Sequence, residues 1–224
     1  MRKINIAIDG PSGVGKSTIA KMVSEKLDYL FINTGLMYRS ISYFCIQNKV
    51  DIENEVEVVK HLNEMNLILL PQEQITLNGV NITRHLREDE ISISASKIAR
   101  YKEVRIFCVS KQQKYTTNKG VIMEGRDIGS VVIPDAELKI FLNANLSIRS
   151  ERRIKQLQQT GELVFDEATV TENISKRDEF DANRSNDPLK KMPDAIEIDT
   201  SYIQITEVVE KIIELAMERI QNEQ

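Results

Sequence analysis

The sequence predicts an α/β fold in which a parallel sheet is covered by helices on both faces. Three observations carry this. Short apolar runs rich in β-formers alternate with stretches whose apolar residues recur at helical spacing. The first such run ends in a glycine-rich loop that opens directly into a helix. Val121-Ile122-Met123 is apolar on both alternating faces, as a strand buried between two helical layers must be.

Taken in order, Ile4-Asn5-Ile6-Ala7-Ile8 is a strand that stops at the turn Asp9-Gly10. From Lys16, the positions Ile19, Met22, Val23 and Leu27 follow a helical repeat. Leu30-Phe31-Ile32 is a second strand. A helix with Met37, Ile41, Phe44 and Cys45 on one face follows it, and Val56, Val59 and Leu62 mark another. The texture then changes. Leu67 to Leu70, Ile75-Thr76-Leu77 and Val80 to Thr83 read as strands, with Asn78-Gly79 as a type I′ hairpin turn. This small antiparallel patch, about residues 65 to 90, is an insertion into the alternating chain. Val104, Phe107 and Cys108 belong to a long helix, and Leu138 to Leu142 is the next parallel strand. Ser147 to Arg184 is charge-rich and helical with a break at Gly161. Ala195 to Ile198 is a last strand, and Val209, Ile212, Ile213, Ala216 and Ile220 line one face of a C-terminal helix.

The formal charge of −4 over 224 residues argues against a protein that coats nucleic acid or an anionic membrane. An anionic ligand must therefore be met by local Arg and Lys. Cys45 and Cys108 lack metal or redox spacing and are expected as buried, reduced thiols. His61 and His85 are isolated and take no role. No run approaches the roughly 18 apolar residues of a membrane span, and the start lacks a signal-peptide pattern. The expectation is a complete cytoplasmic chain with no nucleic-acid or membrane partner, acting as a monomer.

Gly10-Pro11-Ser12-Gly13-Val14-Gly15-Lys16-Ser17 matches GxxxxGK[ST], with Thr18 following. Glycines let consecutive backbone N–H groups turn inward on phosphate oxygens, and the helix behind presents its positive end. Lys16 then reaches the β- and γ-phosphates, and the Ser17 hydroxyl ligates Mg²⁺. The motif names a nucleoside triphosphate donor but no acceptor. A switch GTPase would need an Asn-Lys-x-Asp motif, which is missing. An oligomeric ATPase would offer an apolar strand ending in Asp-Glu, whereas Val121-Ile122-Met123-Glu124 continues into Gly125-Arg126-Asp127. These departures point to a kinase.

A kinase with a phosphorylated acceptor must suppress repulsion between two anions, and Arg suits that task because its planar fork is permanently charged. Arg39 and Arg126 each follow the C-terminal end of a predicted parallel strand, where open α/β sheets bind ligands. Arg149, Arg152, Arg153, Arg177 and Arg184 populate the charged helical segment. Glu124, at a strand end, is either a holder of metal-bound water or a structural carboxylate.

Several stretches together resemble the bacterial cytidylate kinases. They are Asp9-Gly-Pro-Ser-Gly-Val-Gly-Lys-Ser, Asn33-Thr-Gly-Leu-Met-Tyr-Arg39, Glu124-Gly-Arg-Asp-Ile-Gly-Ser-Val-Val-Ile-Pro-Asp-Ala136, Arg152-Arg-Ile-Lys-Gln-Leu157 and Lys176-Arg-Asp-Glu-Phe-Asp-Ala-Asn-Arg184. The likeness runs in order along nearly the whole chain. It implies a P-loop three-layer α/β/α fold with a five-stranded parallel sheet, an enlarged monophosphate-binding region and a helical lid. The core would span 1–35, 103–146 and 186–224, the monophosphate-binding region 36–102, and the lid with its adjoining helix 147–185. It implies transfer from ATP to CMP or dCMP with Mg²⁺. By the same resemblance Thr34 lies near the acceptor nucleotide, and Arg39, Arg126 and Arg184 hold its phosphate. Ser96, Arg105 and Asp127 read cytosine, Arg177 and Asp181 hold the ribose hydroxyls, and Arg152 and Arg153 reach the moving phosphoryl group. Asp127 also fits on chemical grounds, because the cytosine amine needs an acceptor where uracil presents an oxygen. Thr34 stands where Ser is usual, Asn33 where some relatives have an acid, and Ile133 where Phe is common. Phe180 and Ala182 interrupt a more Arg-rich segment. Two rival readings stay open: a P-loop kinase for UMP, dTMP or another small metabolite, and a nucleotide-binding module without transfer.

Overall fold

The computed structural model describes residues 2–70, 73–160 and 166–222. In chain order the elements are β1 (Ile6–Asp9), α1 (Lys16–Leu27), β2 (Leu30–Asn33), α2 (Gly35–Gln47) and α3 (Glu55–His61), then β3 (Leu67–Leu70), β4 (Gln74–Leu77) and β5 (Val80–Asn81). After these come α4 (Asp89–Ile98), α5 (Lys102–Gln113), β6 (Val121–Gly125), β7 (Leu138–Asn143), α6 (Leu146–Thr160), α7 (Glu167–Asn183), β8 (Ile196–Asp199) and α8 (Ile205–Asn222).

The central sheet has five parallel strands in the order β2-β6-β1-β7-β8. Because side chains alternate along each strand, the sheet feeds two cores. Ala7, Ile32, Val121 and Met123 face α2, α5 and the insertion. Ile6, Ile8, Ile122 and Ile140 face the other way, toward α1 and α8. Register then gathers the polar strand ends. Asp9 lies opposite Gly125, and Asn33 opposite Glu124, along one edge of the sheet.

The insertion is a three-stranded antiparallel sheet, β3-β4-β5. Its turn has Asn78 at φ 52° and Gly79 at φ 84°, the two positive values a type I′ hairpin demands. Leu67, Leu69, Ile75 and Leu77 bury its inner face.

Helix α4 was not separable in the sequence. Its Ile91-Ser-Ile-Ser-Ala95-Ser run alternates with period two and is rich in Ser, which competes locally for backbone hydrogen bonds. Tertiary packing overrides this: Ile91, Ala95 and Ile98 are buried at helical spacing. The expected break at Gly161 lies outside the described residues. Cys45 and Cys108 are free and buried, as expected. Among the described residues no helix is long and apolar enough to cross a membrane.

Candidate active site

The loop between β1 and α1 is shaped by close approach. At Gly10 (φ 150°) a Cβ would lie 2.1 Å from the Leu142 carbonyl oxygen, so only glycine fits against β7. Gly13 and Gly15 also hold positive φ, 79° and 94°, and turn the loop into the first turn of α1. Lys16 is buried, and its Nζ donates to the carbonyls of Gly10 (2.8 Å) and Pro11 (2.7 Å). Burial, with the nearby Arg126 charge adding to it, pulls the Lys16 ammonium down to about 7. The Ser17 hydroxyl donates to Glu124 Oε1 at 2.7 Å. Asn33 Nδ2 reaches Ser17 Oγ at 3.4 Å and Glu73 Oε1, from the β3–β4 turn, at 3.0 Å.

Across the cleft from the loop lies a cationic wall. Thr34 is buried against Gly125 and donates to the Glu124 carbonyl at 2.8 Å. Arg39, on α2, donates to the Gly35 carbonyl (3.1 Å) and Asn33 Oδ1 (3.4 Å). Arg126 and Asp127, adjacent in sequence, point to different partners. Arg126 Nε donates to Asp181 Oδ2 on α7 at 2.7 Å. Burial opposes the Arg126 charge, but Asp181 and Glu124 outweigh it and hold the guanidinium above its usual range. Asp127 pairs with the buried Arg105 and lies 3.6 Å from Arg184 Nη2. Arg105 is 2% exposed and does not line the cleft; it backs Asp127, with Asp187 on its Nε at 2.7 Å. Burial works against the Arg105 charge, while Tyr38, Asp127 and Asp187 together hold it well above the ordinary range.

The turn that carries Asp127 is unusual. Residues 128–132 form one wide helical turn, with the Val132 N–H on the Asp127 carbonyl (3.3 Å) and the Ile133 N–H on the Ile128 carbonyl (2.7 Å). Such i→i+5 turns are frequent at functional sites. Asp9 fixes its start: the carboxylate accepts the N–H groups of Ile128 and Gly129, each at 2.8 Å. Burial raises the Asp9 carboxyl to about 6 despite those two donors.

The third wall comes from α6 and α7. Arg152 donates to the Thr200 carbonyl (2.6 Å) and hydroxyl (3.0 Å), and Thr200 in turn donates to the Val14 carbonyl. Arg153 and Arg177 line the cleft from these helices, and Ser96 lines it from α4. Arg177 Nε is buried with no hydrogen-bond partner among the described residues, and burial, reinforced by Arg126, lowers its guanidinium to about 10.

One cleft of about 610 Å³ joins these walls. Ser12 to Thr18, Thr34, Arg39, Ser96, Arg126, Asp127, Arg152, Arg153, Arg177, Asp181 and Arg184 all line it, while Gly10, Pro11 and Arg105 support it from behind. Sequence reasoning did not single out Asp9, Tyr38, Asp178 or Asp187. Asp9 carried a usable signal, being a carboxylate that ends an otherwise apolar strand. Asp187 carried none, since its contact with Arg105 spans 82 residues.

A parallel sheet with a glycine-rich loop after its first strand, facing an arginine-lined cleft, defines the fold class of the P-loop kinases. The structure is similar to a gluconokinase from Sinorhizobium meliloti 1021, with a TM-score of 0.52 at 13% identity over 99% of this chain and 97% of that one; this is a likeness of fold alone. The model of the family described as cytidylate kinase matches residues 6–218. The cytidylate kinase of Bacillus velezensis is 43% identical, over 97% of this chain and 98% of its own. That of Mycoplasmopsis synoviae is 47% identical, over 95% and 98%. The chain belongs to the cytidylate kinase family and is an enzyme of that family.

Proposed function

We propose that this enzyme transfers the γ-phosphoryl group of ATP to CMP and dCMP, giving ADP with CDP or dCDP. One observation supports the reading above others: the buried Arg105–Asp127–Arg184 cluster opens into the same cleft as the phosphate loop. A carboxylate held between two cations is an acceptor for an exocyclic amine and is mismatched to a uracil carbonyl.

In this reading Gly10 to Thr18 cradle the triphosphate, with Lys16 leaving its two loop carbonyls for the phosphate oxygens. Arg39, Arg126 and Arg184 hold the acceptor phosphate beside Thr34. Ser96 and Asp127 select the base, with Arg105 holding Asp127 from behind, and Arg177 and Asp181 hold the sugar. Arg177 and Asp181, which line the same cleft, suit a hydroxyl-bearing ligand. An oxygen of the acceptor phosphate attacks the γ-phosphorus in line, a P–O bond forms, and the bond to the β-phosphate oxygen breaks. That oxygen is already anionic, so no general base is required. Lys16, Arg152 and Arg153 offset the spread negative charge. Helices α6 and α7, with the adjoining residues 147–185, act as a lid that excludes water. The residues 36–102 form the monophosphate-binding region, and the remainder is the core.

The Ser17 hydroxyl and the Glu124 carboxylate are hard oxygen donors 2.7 Å apart, a set suited to Mg²⁺. Ser17 would ligate the ion and Glu124 would hold one of its waters. Among the described residues no group of three or more His, Cys, Asp or Glu is placed to hold a metal. When bound, Mg²⁺ would neutralise charge on the β- and γ-oxygens. The enzyme is taken to work as a cytoplasmic monomer on small nucleotides, with no nucleic-acid partner.

A coupled assay of ADP release across CMP, dCMP, UMP, dTMP, AMP and GMP tests this. Strong turnover on CMP and dCMP alone is expected. Equal rates on all six would overturn the base assignment.

A further inference from the structure

Helix α7 carries two carboxylates one turn apart, and they grip opposite halves of the cleft. Asp181 accepts from Arg126 Nε at 2.7 Å on the acceptor side. Asp178, three residues earlier, accepts the backbone N–H of Ser12 in the phosphate loop at 2.9 Å. Its second oxygen pairs with Arg149 of α6. Arg149 Nη1 donates to the Ser12 carbonyl at 3.0 Å, and its Nε to the Ala144 carbonyl at 3.0 Å. One largely buried ion pair thus holds both polar backbone groups of Ser12. The same arginine backs the next residue: a Cβ on Gly13 would stand 3.0 Å from Arg149 Cβ.

Charge points the same way. Lys16 and Arg126 line one cleft, and Asp178 and Asp181 each favour the charged form of Arg126. The two carboxylates of α7 therefore stand between a cation of the phosphate loop and a cation of the opposite wall, which would otherwise repel.

We propose that Asp178 is a positioning residue that couples the two nucleotide sites, and this rests on assigning the phosphate loop to the donor and Arg126 to the acceptor. An acceptor phosphate arriving at Arg126 competes with Asp181 for its guanidinium. Within one helical turn α7 moves as a unit, because i→i+4 backbone bonds span Asp178 and Asp181. A shift of α7 at Asp181 is then carried by Asp178 and Arg149 to Ser12, and through Ser12 to the loop that holds the triphosphate. Coupling of this kind is reciprocal: CMP should tighten the nucleotide on the loop by the factor by which that nucleotide tightens CMP.

Calorimetric titration with ADP and CMP, which between them lack a γ-phosphoryl group to transfer, reads that factor without turnover. It is the ratio of ADP dissociation constants without and with saturating CMP. The full-length wild-type chain is expected to show about tenfold coupling, and Asp178→Asn and Arg149→Lys to reduce it below about twofold. Glu179→Gln, an exposed neighbour on α7, should keep the wild-type ratio. Thermal melts of each variant separate folding from coupling. A variant at Asp178 that melts lower yet keeps the full ratio overturns the proposal, as does a wild-type ratio near one. Failure of the wild type to bind CMP at all overturns the acceptor assignment on which the proposal rests.

Discussion

Asp9 accepts the backbone N–H of Gly129 at 2.8 Å, across 120 residues of chain, and so ties the last residue before the phosphate loop to the turn that bears Asp127. The neighbouring bond to the Ile128 N–H makes this a two-point clamp. Its carboxyl is raised from 3.8 to about 6, chiefly by burial. A carboxyl whose folded value exceeds its unfolded one binds more protons when folded. Its contribution to stability is therefore fully present below 3.8 and is lost as pH rises through about 6. Relative to Asp9→Asn, the wild type should lose on the order of 2 kcal/mol between pH 4 and pH 7. Urea unfolding of both proteins at the two pH values measures it.

Lys16 should take up a proton when nucleotide binds. Its ammonium is held near 7 by burial, so it is about half neutral at pH 7, and an incoming polyphosphate restores the charge. About half a proton per ATP is expected from calorimetry in buffers of different ionisation enthalpy. Lys16→Met should abolish that component and slow transfer by about a thousandfold.

Asp127→Asn removes the carboxylate that pairs with Arg105 and lies 3.6 Å from Arg184 Nη2. Removing one partner of a buried pair costs about 3–5 kcal/mol. The kcat/KM for CMP should fall by about a hundredfold or more, with the CMP-to-UMP ratio falling alongside. Initial rates on both nucleotides, with a thermal melt of the variant, decide between lost selectivity and lost fold.

Gly10→Ala drives a Cβ into the backbone oxygen of Leu142, which cannot swing aside. A cost of about 4 kcal/mol or more is expected, lowering Tm by roughly 10 °C or more. Gly79→Ala is the contrast. Its φ of 84° is left-handed too, but none of the described residues lies within 4 Å, so only about 1 kcal/mol is expected. Calorimetric melts of the two variants test whether close approach, not backbone conformation alone, fixes the glycine in the phosphate loop.

Elements with a single strong period were legible in the sequence: the apolar strands, the amphipathic helix α8, and the hairpin at Asn78-Gly79. Helix α4 was not, because its Ile-Ser alternation imitates a strand and only burial of Ile91, Ala95 and Ile98 decides the matter. The site divides in the same way. Gly10 to Thr18 form one contiguous stretch whose chemistry follows from local geometry. Asp178 and Asp187 act across 166 and 82 residues and no local pattern announces their contacts, whereas Asp9, acting across 120, is marked only as the carboxylate that ends an apolar strand.

The two thiols have a consequence of their own. Cys45 and Cys108 sit on α2 and α5 in the same core, which forms the floor beneath the acceptor wall, and the opposite core contains no thiol. Burial pushes the Cys45 thiol up to about 11 and Cys108 higher still, so neither reacts while the fold is closed. Alkylation of the unmodified protein therefore times the opening of one half of the molecule alone. The chain carries its own clock for breathing of the acceptor side, with no label to install.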